Sequence, residues 1–174
     1  MKALIIVDML NDFVLPTGAL YCGPTIDPIV APIKMRLLAA QADPDNTLII
    51  FLGDAHDEDD KEFDRFPKHA VRGTEGAEIV SELAVDVGAF ILEKTRYSGF
   101  YGTDLGGLLR LYGVDEEVTV VGCCTSICVM DTVGGLANRD YKVVVPAAEV
   151  ADFDADAHAA ALKRMEVLYG AKIV

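Results

Sequence analysis

Six short apolar runs recur along the chain with little polar alternation inside them. They are 3–9 (ALIIVDM), 47–53 (TLIIFLG), 89–94 (AFILEK), 118–123 (VTVVGC), 142–147 (KVVVPA) and 171–174 (AKIV). Runs this short, rich in Ile and Val and without a polar face, fit strands covered on both sides, as in a parallel sheet. Between them apolar residues recur at helical spacing: 27–42, 75–84, 103–113, 126–139 and 154–170. Pro32 lies inside the first of these segments and is expected to kink the helix or delay its start. Gly113 and Gly170 stand where helices end. Strands that alternate with helices predict an α/β domain with a largely parallel sheet and right-handed crossovers. The charged stretch 54–65 (DAHDEDDKEFDR) is too polar for a core and reads as a long loop.

The chain has 174 residues, the length of one domain spanning 1–174, and no repeat or linker interrupts it. At 52% hydrophobic residues it can bury a sizeable core. Its formal net charge of −13 repels phosphate backbones and anionic lipid, so neither nucleic acid nor a membrane is an expected partner. No apolar stretch reaches membrane-spanning length. Asp8 interrupts the first apolar run too early for a signal peptide, so the expectation is a buried strand in a cytoplasmic protein.

Cys123, Cys124 and Cys128 fall within six positions, and Cys22 stands far upstream. Their spacing matches neither paired zinc-site cysteines nor a C-x-x-C redox motif. Cys123 and Cys22 read as small buried apolar residues. Cys128 differs, because it opens the helix that follows the fourth strand. Ligands in open α/β sheets bind outside the carboxyl ends of the strands. That edge collects Asp8, Asp54, Lys94 and Cys128. A helix N-terminus lowers a thiol's pKa, and Lys94 would stabilise the thiolate further. Asp8 can take the thiol proton and return it to a leaving amine. These are the parts for acyl transfer from an amide. The same residues also admit an Asp8–Lys94 ion pair with Cys128 merely packed.

Three separated segments, 7–13 (VDMLNDF), 93–105 (EKTRYSGFYGTDL) and 122–132 (GCCTSICVMDT), resemble the isochorismatase-like cysteine hydrolases, which include the nicotinamidases. The resemblance implies a three-layer α/β/α fold with a mostly parallel six-stranded sheet. It implies Asp8, Lys94 and Cys128 as a catalytic triad. It also implies a cis Cys123–Cys124 peptide that aims the Cys124 N–H, with that of Cys128, at the oxyanion. Ser126 departs from the acidic or Asn residue common there, and is expected to cap the helix start instead.

By residue chemistry alone, Asp54, His56 and a returning His69 offer mixed nitrogen and oxygen ligands for a divalent ion, or else a solvated acidic loop with surface histidines. The resemblance extends to this segment (GDAHD…FPKHAVRGTEGAE). It implies metal ligation by Asp54, His56 and His69, with Glu62 as the fourth ligand and Asp64 as the weaker candidate. Zn²⁺ leads, with Fe²⁺, Mn²⁺ and Ni²⁺ as alternatives. This metal favours nicotinamide, whose ring nitrogen it would bind, as the small-molecule amide substrate. The competing reading is a metal-free member acting on another amide or carbamoyl compound. Phe13, Phe66, Tyr97 and Tyr101 lie in the matching motifs and are expected to wall the substrate ring, each alternatively an ordinary core aromatic. Arg96 is expected to pair with an acidic neighbour. His158 reads as structural or solvated, far from the strand ends. Family members form dimers or tetramers, so a homo-oligomer is implied.

Overall fold

A computed structural model describes residues 1–84 and 88–174. The sheet is built from β1 (Lys2–Val7), β2 (Thr47–Asp54), β3 (Phe90–Lys94), β4 (Val118–Cys123), β5 (Val143–Val145), β6 (Val150–Ala151) and β7 (Lys172–Ile173). The order is β3-β2-β1-β4-β5-β7, and β6 pairs with the end of β4. Every ladder is parallel. Six of the strands match the apolar runs. The seventh, β6, has two residues, too few to leave a hydropathy pattern. It matters nonetheless, because Val150 and Ala151 lie opposite Gly122 and Cys123.

The helices are α1 (Asn11–Val14), α2 (Asp27–Gln41), α3 (Leu105–Leu111), α4 (Met130–Ala137) and α5 (Ala155–Tyr169). Successive side chains of a strand point to opposite faces, and β1 shows how this divides the core. Leu4 and Ile6 pack with Ile29, Ile33 and Leu37 of α2. Ala3, Ile5 and Val7 pack with Leu109 of α3, Val133 and Leu136 of α4 and Met165 of α5. The molecule therefore has three layers, with α2 on one side of the sheet and α3, α4 and α5 on the other. Among the described residues no helix is long and apolar enough to cross a membrane.

Local chemistry sets the helix ends. Asp154 accepts hydrogen bonds from the N–H groups of Asp156 and Ala157 at the start of α5, and Gly170 closes it in the left-handed conformation at φ +65°. Gly113, at φ +62°, follows α3 in the same way. Pro28 occupies the first turn of α2, where its missing N–H is not needed, while Pro32 is accommodated inside the helix.

One expected helix is absent. Segment 75–84 forms two 3₁₀ turns, Glu75–Ala77 and Ser81–Leu83, separated by extended chain. There the Asn11 N–H donates to the Glu78 carbonyl and the Val80 N–H to Met9, with Leu10 and Ile79 bridged. Backbone groups spent on this pairing are unavailable to a helix.

Gly122 shows how closely β1 and β4 approach at the reactive edge. Its φ is +113°, and a Cβ there would lie 2.0 Å from the Val7 carbonyl oxygen. Gly122→Ala is expected to destabilise the fold by about 3 kcal/mol or more, read as a lower urea midpoint. An unchanged midpoint would refute this account of the strand contact.

Candidate active site

The carboxyl ends of β1, β2 and β3 deliver three charged side chains to one buried point. Asp54 and Lys94 are paired in register at the ends of β2 and β3. Asp8 ends β1 with φ +50°, where its N–H still donates to the Leu52 carbonyl. The Lys94 ammonium donates to Asp8 Oδ2 at 2.8 Å and to Asp54 Oδ1 at 2.5 Å. The Asp54 N–H donates to Asp8 Oδ1 at 2.9 Å. All three side chains are almost completely buried. Burial and the neighbouring Asp54 push the Asp8 carboxyl up to about 7, against the pull of Lys94. Burial also works against the Asp54 carboxylate, but Lys94 and His56 outweigh it and hold Asp54 below its ordinary range. Lys94 stays protonated despite burial, because two carboxylates surround it.

Cys128 joins this group: its sulfur lies within 4.8 Å of a carboxylate oxygen of Asp8 and of Asp54. The thiol is not acidic as expected. Burial, together with Asp8 and Asp54, pushes it well above the ordinary thiol range, with Lys94 opposing. Sequence reasoning placed Cys128 at an open helix mouth. It sits instead in an enclosed pocket beside two carboxylates, and holds its proton in this state. Its backbone is a π turn, Thr125–Val129, leading into α4. The Cys123–Cys124 peptide is cis.

Ser126 does not cap this turn with its side chain. Its N–H donates to Asp152 Oδ2 at 2.7 Å. His158, expected far away, meets Thr125 Oγ1 through Nδ1 at 2.9 Å. The turn is thus held by Asp152, just past β6, and by His158 of α5, residues that no local motif singled out.

Asp54, His56 and His69 present ligand atoms within 4.8 Å of one another, all buried. His69 Nδ1 lies 2.7 Å from the Pro67 carbonyl and His56 Nδ1 lies 3.1 Å from Asp60 Oδ2. Both contacts set Nδ1 against an oxygen acceptor and turn Nε2 toward the other candidate ligands, the orientation of a metal-ligating histidine. His56 Nε2 and Glu62 Oε2 are buried and lack a hydrogen-bond partner. Two buried polar atoms without a partner, close to Asp54 and His69, are a donor set that fits a divalent metal. Asp64, by contrast, is exposed. Burial favours the protonated Asp60 carboxyl, yet the Glu62 N–H, His56 and Arg96 hold it down at about 2. Arg96 reaches both Asp60 oxygens at 3.0 Å, the acidic pairing expected of it. The 54–65 stretch is therefore not simply a solvated loop, since it folds Asp54, His56 and Glu62 inward.

The thiol and three of the four candidate ligands face one narrow cavity of about 30 Å³, whose lining includes Asp8, Asp54, Glu62, His69 and Cys128, while His56 lies behind it. Phe13, Phe66 and Tyr97 wall it as expected, and Phe13 and Phe66 meet the His69 ring edge-on, with centroids 5.4 and 6.4 Å away. Tyr101 does not line it and is 58% exposed. The chain turns away after Tyr97, pinned by the Gly99 N–H on Thr132 Oγ1 and closed by the Tyr101 N–H on the Ser98 carbonyl. Leu20, Cys22, Cys124, Ile127 and Phe153 complete the walls. They come from connecting segments whose positions only the fold reveals.

A family model described as the isochorismatase domain matches residues 2–174. The uncharacterized isochorismatase family protein PncA of Bacillus subtilis is 35% identical, over 99% of this chain and 98% of its own length. The crystal structure of the nicotinamidase/pyrazinamidase PncA from Bacillus subtilis superimposes with a TM-score of 0.92 at 34% identity, covering 99% of this chain and 98% of that one. The pyrazinamidase of Pyrococcus horikoshii, solved in complex with zinc, gives 0.91 at 32% identity, again over 99% and 98%.

Removing the ammonium would leave two buried carboxylates unpaired. Lys94→Met is expected to destabilise the chain by about 3–5 kcal/mol in urea titration at neutral pH. A loss below about 1 kcal/mol would mean that the charge cluster does not hold these strand ends together.

Proposed function

The chain belongs to the isochorismatase family, and from that premise we propose that it hydrolyses nicotinamide to nicotinate and ammonia through a cysteine thioester. The observation that carries this reading is the shared cavity, where Cys128 and Asp8 face the same space as Asp54, Glu62 and His69. A thiol poised beside a ligand set suits an amide whose ring carries a donor atom.

Asp8 takes the Cys128 proton, and the thiolate attacks the carboxamide carbon. A carboxyl balanced near neutrality suits this exchange in both directions. Lys94 remains charged and compensates the negative charge that passes between Asp8 and the sulfur. The N–H groups of Cys124 and Cys128 hold the oxyanion. Ammonia leaves with the proton from Asp8, which then activates water to cleave the thioester.

A divalent ion held by Asp54, His56, Glu62 and His69 would supply a Lewis acid for a ring nitrogen. Zn²⁺ leads for such mixed donors. Phe13 and Phe66 flank the ring. The cavity, as it stands, has room for about one water molecule. An aromatic amide therefore enters by displacing wall side chains, of which Phe153 is the exposed one.

Cys128→Ala is expected to lower ammonia release from nicotinamide by at least about 10³-fold while the circular dichroism spectrum stays native. Turnover that survives the substitution would end the covalent mechanism. A panel with other amides and carbamoyl compounds identifies the substrate, and preference for a carbamoyl compound would favour the competing reading.

Chelation is expected to reduce turnover, and added zinc to raise the melting temperature of the stripped chain. His56→Ala is expected to lose the metal by elemental analysis. Full occupancy in that variant would remove His56 from the ligand set.

A further inference from the structure

Beside the nucleophile lies a second sulfur pair that the hydrolytic reading leaves unused. Cys22 comes from the segment joining α1 to α2 and Cys124 from the turn after β4, and both line the cavity. Their sulfurs are 3.2 Å apart. A disulfide bond is about 2.05 Å long, so the two need to approach by only about 1 Å. Cys123 is the third sulfur of the cluster. It is fully buried, does not line the cavity and directs its S–H to the Asp8 carbonyl oxygen at 3.2 Å. That leaves Cys22 and Cys124 as the pair a small oxidant can reach.

The backbone holds this pair in place. The Cys22 N–H donates to the Phe13 carbonyl at 2.9 Å. Thr25 Oγ1 donates to the Asp152 carbonyl at 2.7 Å, and a side-chain oxygen of Asp152 holds the Ser126 N–H. One residue thus ties the Cys22 segment to the Cys124 turn. The neighbouring Cys123 and Cys124 also hold the Cys22 sulfur below the ordinary thiol range, which favours attack on an oxidant.

We propose that Cys22 and Cys124 are a modification site, a thiol pair that a peroxide converts to a disulfide within the substrate cavity. The Cys22 thiolate attacks one peroxide oxygen, the O–O bond breaks, and the departing hydroxide takes up a proton as water. Cys22 is left as a sulfenic acid. The Cys124 sulfur then attacks the Cys22 sulfur, an S–S bond replaces the S–O bond, and a second water leaves. Two thiols are oxidised and one peroxide is reduced to two waters. The bond would tie the residue that contributes an oxyanion donor to the α1–α2 segment. Loss of turnover on oxidation rests on the function proposed above, whereas the bond itself does not.

The test treats the purified full chain with one equivalent of hydrogen peroxide under non-reducing conditions. The expected product has lost the mass of two hydrogen atoms, and its free thiols fall from four to two. Tryptic digestion joins fragments 3–34 and 111–139, and tandem mass spectrometry of the joined pair places the link at Cys22 and Cys124 among the three cysteines of the second fragment. Dithiothreitol restores the thiols, and with them nicotinamide turnover that oxidation had lowered by at least about tenfold. Cys22→Ser and Cys124→Ser, treated alike, lose no hydrogen mass. Oxygen added at Cys128 without loss of hydrogen mass overturns the proposal, as does a link to Cys123 or Cys128. If either variant fails to fold, the wild-type map decides alone. A chain inactive on nicotinamide before oxidation counts against the proposed function and leaves the thiol pair to the mass measurement.

Discussion

The Lys94 ammonium, shared between Asp8 and Asp54, is the interaction on which the reactive edge depends. Without it, β1 and β2 would end in two carboxylates facing each other out of water, and one would take up a proton or the strand ends would part. With it, the two acids differ. Asp54 is held ionised beside the histidines, while Asp8 is poised between its two protonation states. Two chemically identical groups, forty-six positions apart, acquire different capacities from one cation and the unequal surroundings each strand gives them.

Around that pair the site is built in layers of support. Asp60 and the Pro67 carbonyl fix the histidine rings by their Nδ1 atoms, and Arg96 fixes Asp60. The cavity mouth is apolar instead, and Phe153 there stands largely in solvent. Polar groups beneath are committed to hydrogen bonds, while the rim side chain is apolar and exposed. That division suits a pocket whose resting volume is smaller than an aromatic amide.

Much of this was legible in the sequence for a simple reason. Buried parallel strands leave runs of Ile and Val, and side chains at their carboxyl ends converge whatever connects them. Asp8, Asp54 and Lys94 could therefore be placed at one edge before any coordinates, and so could Cys128. What failed were inferences that needed depth. The thiol of Cys128 was expected to be acidic because helix polarity is visible in sequence, whereas enclosure by two carboxylates is not. Tyr101 sits in a matching motif, but four residues beyond Tyr97 the chain has already turned outward. Segment 75–84 has helical spacing, yet its backbone pairs with residues 9–11, a competition invisible to any local window. Cys22 gave no signal at all, since nothing in its neighbourhood points to a partner more than a hundred positions away.

The grip of Asp152 and His158 on the turn that carries Cys128 also bears on how the molecule comes into being. Asp8, Lys94 and Cys128 all leave the ribosome before either of these residues. Asp152 trails the turn it holds by twenty-six positions and His158 trails by thirty-three. A nascent chain can thus carry all three side chains and still lack the clasp on the turn that bears Cys128. The clasp arrives only with Asp152, just past β6, and with His158 of α5, so a copy that stops short of β6 leaves this turn unheld by either.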